Sequence, residues 1–380
     1  MFALTINSSN QTFQIHKLHI SPKNLKTMNL TTIMLVGFVF ICSILISQCH
    51  PTSTTDLNEK YFDESFLSST SLVQRFLNGV DNFKHFIGEK LIHRDYPENV
   101  EQFRFKNVVI FGDSYSDDGN AYRVSKHKWP LVPPYYRGRF CNGPIWTDQL
   151  KVPGVLNYAY GGATTDNNFV QGSTAINTVK VPGVRQQIEM YFNQSNSNKI
   201  DFARTLYIIW AGSNDFLFQP TLTPTKIIAS LLNGVQDLLK LGAKNFLIFN
   251  QIPAQYVPNL QGFAPANVLS ELTNASNVAL VTGIKEIQQK NSQTLLNIFD
   301  ITSIISKAVQ SKSDYFKNTT ANCWNPVNLT TVLNFCGNPE KFVFLDTLHL
   351  TSRMHGLIAD AIRQFLLTSF EVNSSGYYIH

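Results

Sequence analysis

The sequence predicts an α/β protein, a three-layer α/β/α sandwich around a central parallel five-stranded sheet, and two observations carry that expectation. From Asn107 onward short apolar runs alternate with stretches of helical periodicity, the pattern of βαβ units. Polar, chemistry-capable residues then stand at the carboxyl ends of several runs, the edge at which open parallel sheets bind ligands.

The first run, NVVIFGD from Asn107, passes through Gly112 and Asp113 onto Ser114. VLNYAYGG follows from Val155 and ends at Gly161 and Gly162. TLYIIWAGSND from Thr205 ends at Gly212, Ser213, Asn214 and Asp215. NFLIFNQI from Asn245 and TLLNIFDIT from Thr294 complete the strands. Helical spacing marks a short element over 184–192 and a longer one bearing Ile227, Leu231, Val235 and Leu238. Pro224 sits at the first turn of the latter, with Thr223 as its cap. Further helices are expected over about 265–290 and 351–368, the last carrying Leu357, Ala361, Phe365 and Thr368 on one side. No internal repeat or second-domain break interrupts 107–369, and one α/β domain of that length is ordinary.

The flanks read differently. Residues 33–46, IMLVGFVFICSILI, carry no charge and follow Lys23 and Lys26. That length suits the apolar region of a signal peptide and is short for a membrane span of about 18 residues or more. Residues 1–49 are therefore expected to be a signal peptide with an N-terminal extension, or a signal anchor if uncleaved. Residues 50–106 read as a polar linker followed by an amphipathic stripe, Leu72, Phe76, Val80, Phe83, Ile87 and Leu91, expected to pack on its own domain. Residues 370–380 form a tail. Sequons at Asn193, Asn274, Asn318, Asn328 and Asn373 agree with a secreted, extracellular glycoprotein. Cys323 and Cys336 bracket a loop-like segment and are expected to pair, a closure contributing roughly 3 kcal/mol. Cys141 is then left as a buried thiol.

Composition excludes some functions. An apolar content of 43% supplies a core and rules out a disordered chain. The net charge of +5 includes Lys17, Lys23 and Lys26 from the acid-free first 49 residues, so the remainder is close to neutral and shows no basic stripe. No nucleic-acid partner is expected. Neither a CxxC pair nor HExxH occurs, so no metal or other cofactor is expected.

A serine at the end of a buried strand is an ordinary turn residue unless other groups join it. Here FVFLDTLHLT places Asp346 and His349 in a loop just before the last helix. A serine hydroxyl becomes a nucleophile when a base takes its proton, and a histidine oriented by a carboxylate does this near neutral pH. The tetrahedral intermediate needs donors for its oxyanion. Asn214 offers a side-chain amide, Gly162 a backbone N–H that no Cβ obstructs, and Ser114 its own N–H.

These segments resemble the GDSL, or SGNH, hydrolase superfamily, whose four blocks occur in order as FGDSYSD around Ser114, NYAYGGA around Gly162, GSND around Asn214 and DTLHL around Asp346 and His349. GRFCNGPIWTDQL, from Gly138 through Arg139 onward, is also similar to the region after the family's first block. The resemblance implies a flavodoxin-like SGNH fold, Ser114 as nucleophile, and Asp346 and His349 completing the catalytic set. Ser114, Gly162 and Asn214 would form the oxyanion hole; the family's spacing of five residues from Asn157 selects Gly162 over Gly161. An α/β-hydrolase elbow, G-x-S-x-G, is disfavoured because Ser116 stands where its second glycine belongs. The expected activity is a secreted serine esterase or lipase working through an acyl-enzyme, as a monomer, on a small-molecule, lipid or polysaccharide ester. Carbohydrate O-acetylesterases of the same family are the alternative; an inactive glycan-binding or membrane-displayed homologue would show an eroded site position, and none is eroded. Trp129, Tyr135, Tyr136, Trp146, Trp210 and Phe216 are candidates for a sugar platform or an acyl groove, or for the core. His355 and Asp113, Asp117 and Asp118 are expected to be structural, and Asp215 to form an Asx turn.

Overall fold

A computed structural model describes residues 104–369, apart from 153, 196–199, 312–314, 329 and 334, and two strands near the start of the chain. Those strands, Phe2–Asn7 and Thr12–Lys17, pair antiparallel within a separate N-terminal unit. The expected signal segment, the linker with its amphipathic stripe and the C-terminal tail lie outside the described residues.

Five strands build the central sheet: β1 (Asn107–Gly112), β2 (Val155–Asn157), β3 (Thr205–Trp210), β4 (Asn245–Phe249) and β5 (Leu295–Phe299). Their order is β2-β1-β3-β4-β5, and every neighbouring pair is parallel. All of β3 and β4 is buried, as apolar runs covered on both faces must be. The edge strand β5 is only half-buried over most of its length.

Helices cover both faces: α1 (Val184–Gln194), α2 (Ser213–Phe218), α3 (Pro224–Lys240), α4 (Ala266–Lys290), α5 (Ile301–Gln310) and α6 (Ser352–Ser369). Alternate strand residues such as Val109, Phe111, Tyr207, Ile209, Phe246 and Ile248 pack on α1, α3 and α4. Residues of opposite pleat, Trp210 and Phe249, meet Trp146, whose ring lies 6.4 and 5.5 Å from theirs, while Phe299 packs edge-on against Phe365 of α6. This is the expected three-layer sandwich. Because β2 and β3 flank β1 on opposite sides, the strand order reverses at the end of β1, the switch point at which such sheets open a crevice.

Three local expectations need correction. The last strand ends at Phe299, because Asp300 caps a new helix, α5, its carboxylate accepting from the Ser303 N–H at 3.1 Å. The run from Val155 is a strand for only three residues; beyond them Tyr158 and Tyr160 still donate to the Ile110 and Gly112 carbonyls. Thr223 occupies the cap position of α3 without a side-chain cap bond, its hydroxyl lying 3.1 Å from that of Thr225. Cys323 and Cys336 are disulfide-bonded with Cα atoms 5.0 Å apart, and their loop contributes a small cluster of Tyr135, Cys323, Trp324 and Leu345. Cys141 is buried and free, and burial pushes its thiol up to about 12.

Candidate active site

Gly112 ends β1 where a Cβ would stand 2.5 Å from the Trp210 carbonyl oxygen, so a side chain there would separate β1 from β3. Gln187, buried on α1, grips this end twice: its Oε1 accepts from the Gly112 N–H and its Nε2 donates to the Gly112 carbonyl, both at 2.9 Å. The chain then turns, the Ser116 and Asp117 N–H groups both donating to the Asp113 carbonyl at 3.0 Å. Asp117 accepts from the N–H groups of Gly119, Asn120, Ala121 and Gly161, tying this turn to the glycine pair after β2. Burial pushes its carboxyl up to about 6 even against those donors.

On that scaffold Ser114 Oγ lies 2.8 Å from His349 Nε2. His349 Nδ1 lies 2.9 and 2.8 Å from the two carboxylate oxygens of Asp346. An ionised carboxylate only accepts, so Nδ1 carries the hydrogen and Nε2 is left to accept from the serine. Asp346 also accepts from the N–H groups of Leu348 and His349, at 2.8 and 2.7 Å, and from the Tyr135 hydroxyl at 2.6 Å. Burial works to raise Asp346, but the charge of His349 and these donors outweigh it and hold its carboxyl below the usual range. The Phe140 ring lies 4.9 Å from the His349 ring, and Tyr115 donates to the Leu348 carbonyl at 2.7 Å while stacking on Trp210.

The three candidate oxyanion donors line one cavity with this pair. Among the described residues neither the Ser114 nor the Gly162 N–H has a protein acceptor. Asn214 uses one side-chain N–H on the Ala163 carbonyl, at 2.8 Å, and keeps the other. Gly162 has φ of +86°, and a Cβ on it would overlap the Ser173 carbonyl oxygen. Gly161 is required for a different reason: a Cβ there would enter the Phe140 ring.

The cavity measures about 270 Å³ and runs from Ser114 past Phe216, Ile252, Val257, Leu260 and Leu269. Its walls are chiefly aliphatic and aromatic. Of the aromatics singled out in the sequence, Trp129 and Phe216 line it; Trp146 and Trp210 belong to the core; Tyr136 stacks with Arg137 and Arg139. Asp215 does not form an Asx turn. It is buried and accepts from both the N–H and the hydroxyl of Thr165, because its helix points it across to that loop. Asp118 faces Arg123 at 3.7 Å. Buried His355 is held neutral, down to about 3, first by burial and then by the charge of His349.

Asp113 gives a prediction on pH. Burial pushes its carboxyl up to about 7, although the Tyr115 N–H and the charge of His349 pull it down. In the unfolded chain it titrates near 3.9. The fold thus prefers the protonated acid, a stabilisation fully present below the unfolded value and lost as pH rises through about 7. The melting temperature should rise as pH falls from about 8 to about 5. Asp113→Asn, which cannot ionise, should flatten that slope in thermal melts; an unchanged slope would contradict the assignment.

The sequence profile of the family described as "GDSL-like Lipase/Acylhydrolase" matches residues 108–362. The chain is similar to the phosphatidylcholine-sterol acyltransferase of Aeromonas hydrophila, with 24% identity over 321 residues, 70% of this chain and 92% of that protein. It is similar to the acetylesterase of Hypocrea jecorina, with 24% identity over 311 residues, 69% of this chain and 88% of that protein. Among solved structures it aligns with a carbohydrate acetylesterase from Sinorhizobium meliloti at a TM-score of 0.37 and 15% identity, covering 70% of this chain and 100% of that one.

Proposed function

The chain belongs to the GDSL-like lipase/acylhydrolase family of ester-bond hydrolases, and from that premise we propose that it cleaves carboxylic esters of apolar acyl chains through an acyl-enzyme on Ser114. The observation that carries this reading is the 2.8 Å approach of His349 Nε2 to Ser114 Oγ at the mouth of an apolar cavity. His349 takes the hydroxyl proton as Oγ attacks the ester carbonyl. The N–H groups of Ser114 and Gly162 and the Asn214 amide receive the developing oxyanion, whose stabilisation is usually the largest single contribution to such catalysis. The imidazolium, steadied by Asp346, gives its proton to the leaving alkoxide. A water then enters, loses a proton to His349 and releases the acid, and Ser114 recovers its hydrogen.

Leu260, Leu269 and Ile252 suit a hydrocarbon chain better than a sugar, whose hydroxyls would find few partners there. The second reading, a carbohydrate O-acetylesterase, rests on the similarity to the fungal acetylesterase. Rates on p-nitrophenyl esters from acetate to palmitate, with Ser114→Ala prepared identically, separate the two. The acyl-chain reading expects kcat/KM to peak well beyond acetate; a peak at acetate would replace it with the second. We further propose export, cleavage near residue 49 and a catalytic domain of 107–369. Support comes from the exposed sequons Asn193, Asn274 and Asn318 and from the disulfide, which oxidising compartments preserve.

A further inference from the structure

Tyr135 reaches Asp346 from 211 positions away in the chain, and its hydroxyl donates to Oδ2 at 2.6 Å. Without it, His349 Nδ1 would be the only described donor to that oxygen, since the Leu348 and His349 N–H groups both bond Oδ1. The phenol is held independently of the carboxylate. Its ring is 2% exposed, packs edge-on against Trp324 at 5.3 Å, and sits in the cluster formed with Cys323 and Leu345. The Tyr135 N–H is itself fixed on the Leu131 carbonyl at 2.9 Å. Burial first, and then the charge of Asp346, raises the phenol above its ordinary value, so it stays a donor at any working pH.

We propose that Tyr135 is a positioning residue that aims the Asp346 carboxylate at His349 and shares its negative charge. This role rests on the reading of Ser114, His349 and Asp346 given above. A carboxylate with one charge-sharing donor fewer pulls harder on the imidazolium proton, and His349 then becomes a poorer acid toward the leaving alkoxide. A carboxylate with one tether fewer also holds the imidazole less firmly in its reactive orientation.

Tyr135→Phe keeps the ring and its packing and removes only the donor. The expected result is a kcat roughly tenfold lower, the order expected for losing one hydrogen bond to a charged group, with KM nearly unchanged. The acid limb of the kcat/KM profile should move to higher pH, because the unshared carboxylate keeps the proton on His349 longer. A lower melting temperature with wild-type kcat and an unmoved limb would reduce Tyr135 to a packing residue and overturn the proposal. Incorporation of 3-fluorotyrosine at 135 preserves the fold and strengthens the donor, so the limb should move to lower pH; no movement, or movement upward, would also overturn it. In an Asp346→Asn background Tyr135→Phe should cost almost nothing further, whereas the same tenfold loss in both backgrounds would mean that Tyr135 acts elsewhere. Parallel Ser114→Ala separates the two levels of the account. Activity that survives it overturns the catalytic reading and this role together, while serine-dependent activity indifferent to Tyr135→Phe overturns this role alone.

Discussion

Ser114→Ala should lower kcat by roughly a million-fold, and His349→Ala by a similar factor, while the double variant loses no more than either single one. The reason lies in the geometry: Oγ and Nε2 are 2.8 Å apart, and in the proposed mechanism neither acts without the other. Asp346→Asn should be milder, about ten-thousand-fold, since the imidazole remains but its tautomer is reversed. None of the three should change KM greatly, because the apolar walls proposed to hold the substrate are untouched. Additive losses in the double variant would mean that Ser114 and His349 do not act as one unit. The measurement is steady-state kinetics on an activated ester at enzyme concentrations high enough to detect the residual rate.

The second large effect is expected at Gly162, where one added methyl meets two obstacles. The backbone there lies in the left-handed region, φ +86°, costing a residue with a Cβ roughly 1–2 kcal/mol, and the new carbon would overlap the Ser173 carbonyl oxygen. Relief requires the segment to withdraw, which breaks the Ser173 N–H bond to the Gly162 carbonyl at 3.1 Å and moves the Gly162 N–H away from the oxyanion position. Gly162→Ala should therefore cut kcat by about a hundred- to a thousand-fold, the usual loss for one oxyanion donor, and also lower the melting temperature. Asn214→Ala removes a donor without straining a backbone dihedral, although it also frees the Ala163 carbonyl that the amide holds at 2.8 Å, and should give a comparable loss in kcat. A Gly162→Ala enzyme with near-normal kcat would exclude that N–H from the oxyanion site.

Much of this architecture is legible in the sequence because the fold repeats one physical pattern. The interior strands β1, β3 and β4 are nearly continuous apolar runs that end in small or polar residues, so their parallel pairing and the polar edge follow from local composition. Ser114, Gly162, Asn214, Asp346 and His349 stand at such ends or in the loop before the last helix; the structure gathers Ser114, Gly162, Asn214 and His349 around one cavity and buries Asp346 behind His349. Asp300 was hidden because its role as a helix cap depends on where β5 stops, and the apolar run does not mark that point. Gln187 and Tyr135 leave no local signature at all. Gln187 is a polar residue on a helix whose partner is a strand end 75 positions earlier, and Tyr135 lies in an insertion rich in aromatics. Asp215 reads as a turn former from its neighbours, whereas its partner Thr165 lies 50 positions away. Long-range polar pairing is set by the assembled sheet and not by the local chain, and these are the residues that sequence periodicity cannot reach.

A covalent acyl-enzyme on Ser114 should be trapped by mass spectrometry of the protein quenched during turnover of a slowly deacylating ester, followed by peptide mapping. One acyl group should be added to the peptide containing Ser114, absent from Ser114→Ala and strongly reduced in His349→Ala. An acyl group on another residue, or hydrolysis by Ser114→Ala at the wild-type rate with no adduct at all, would contradict it.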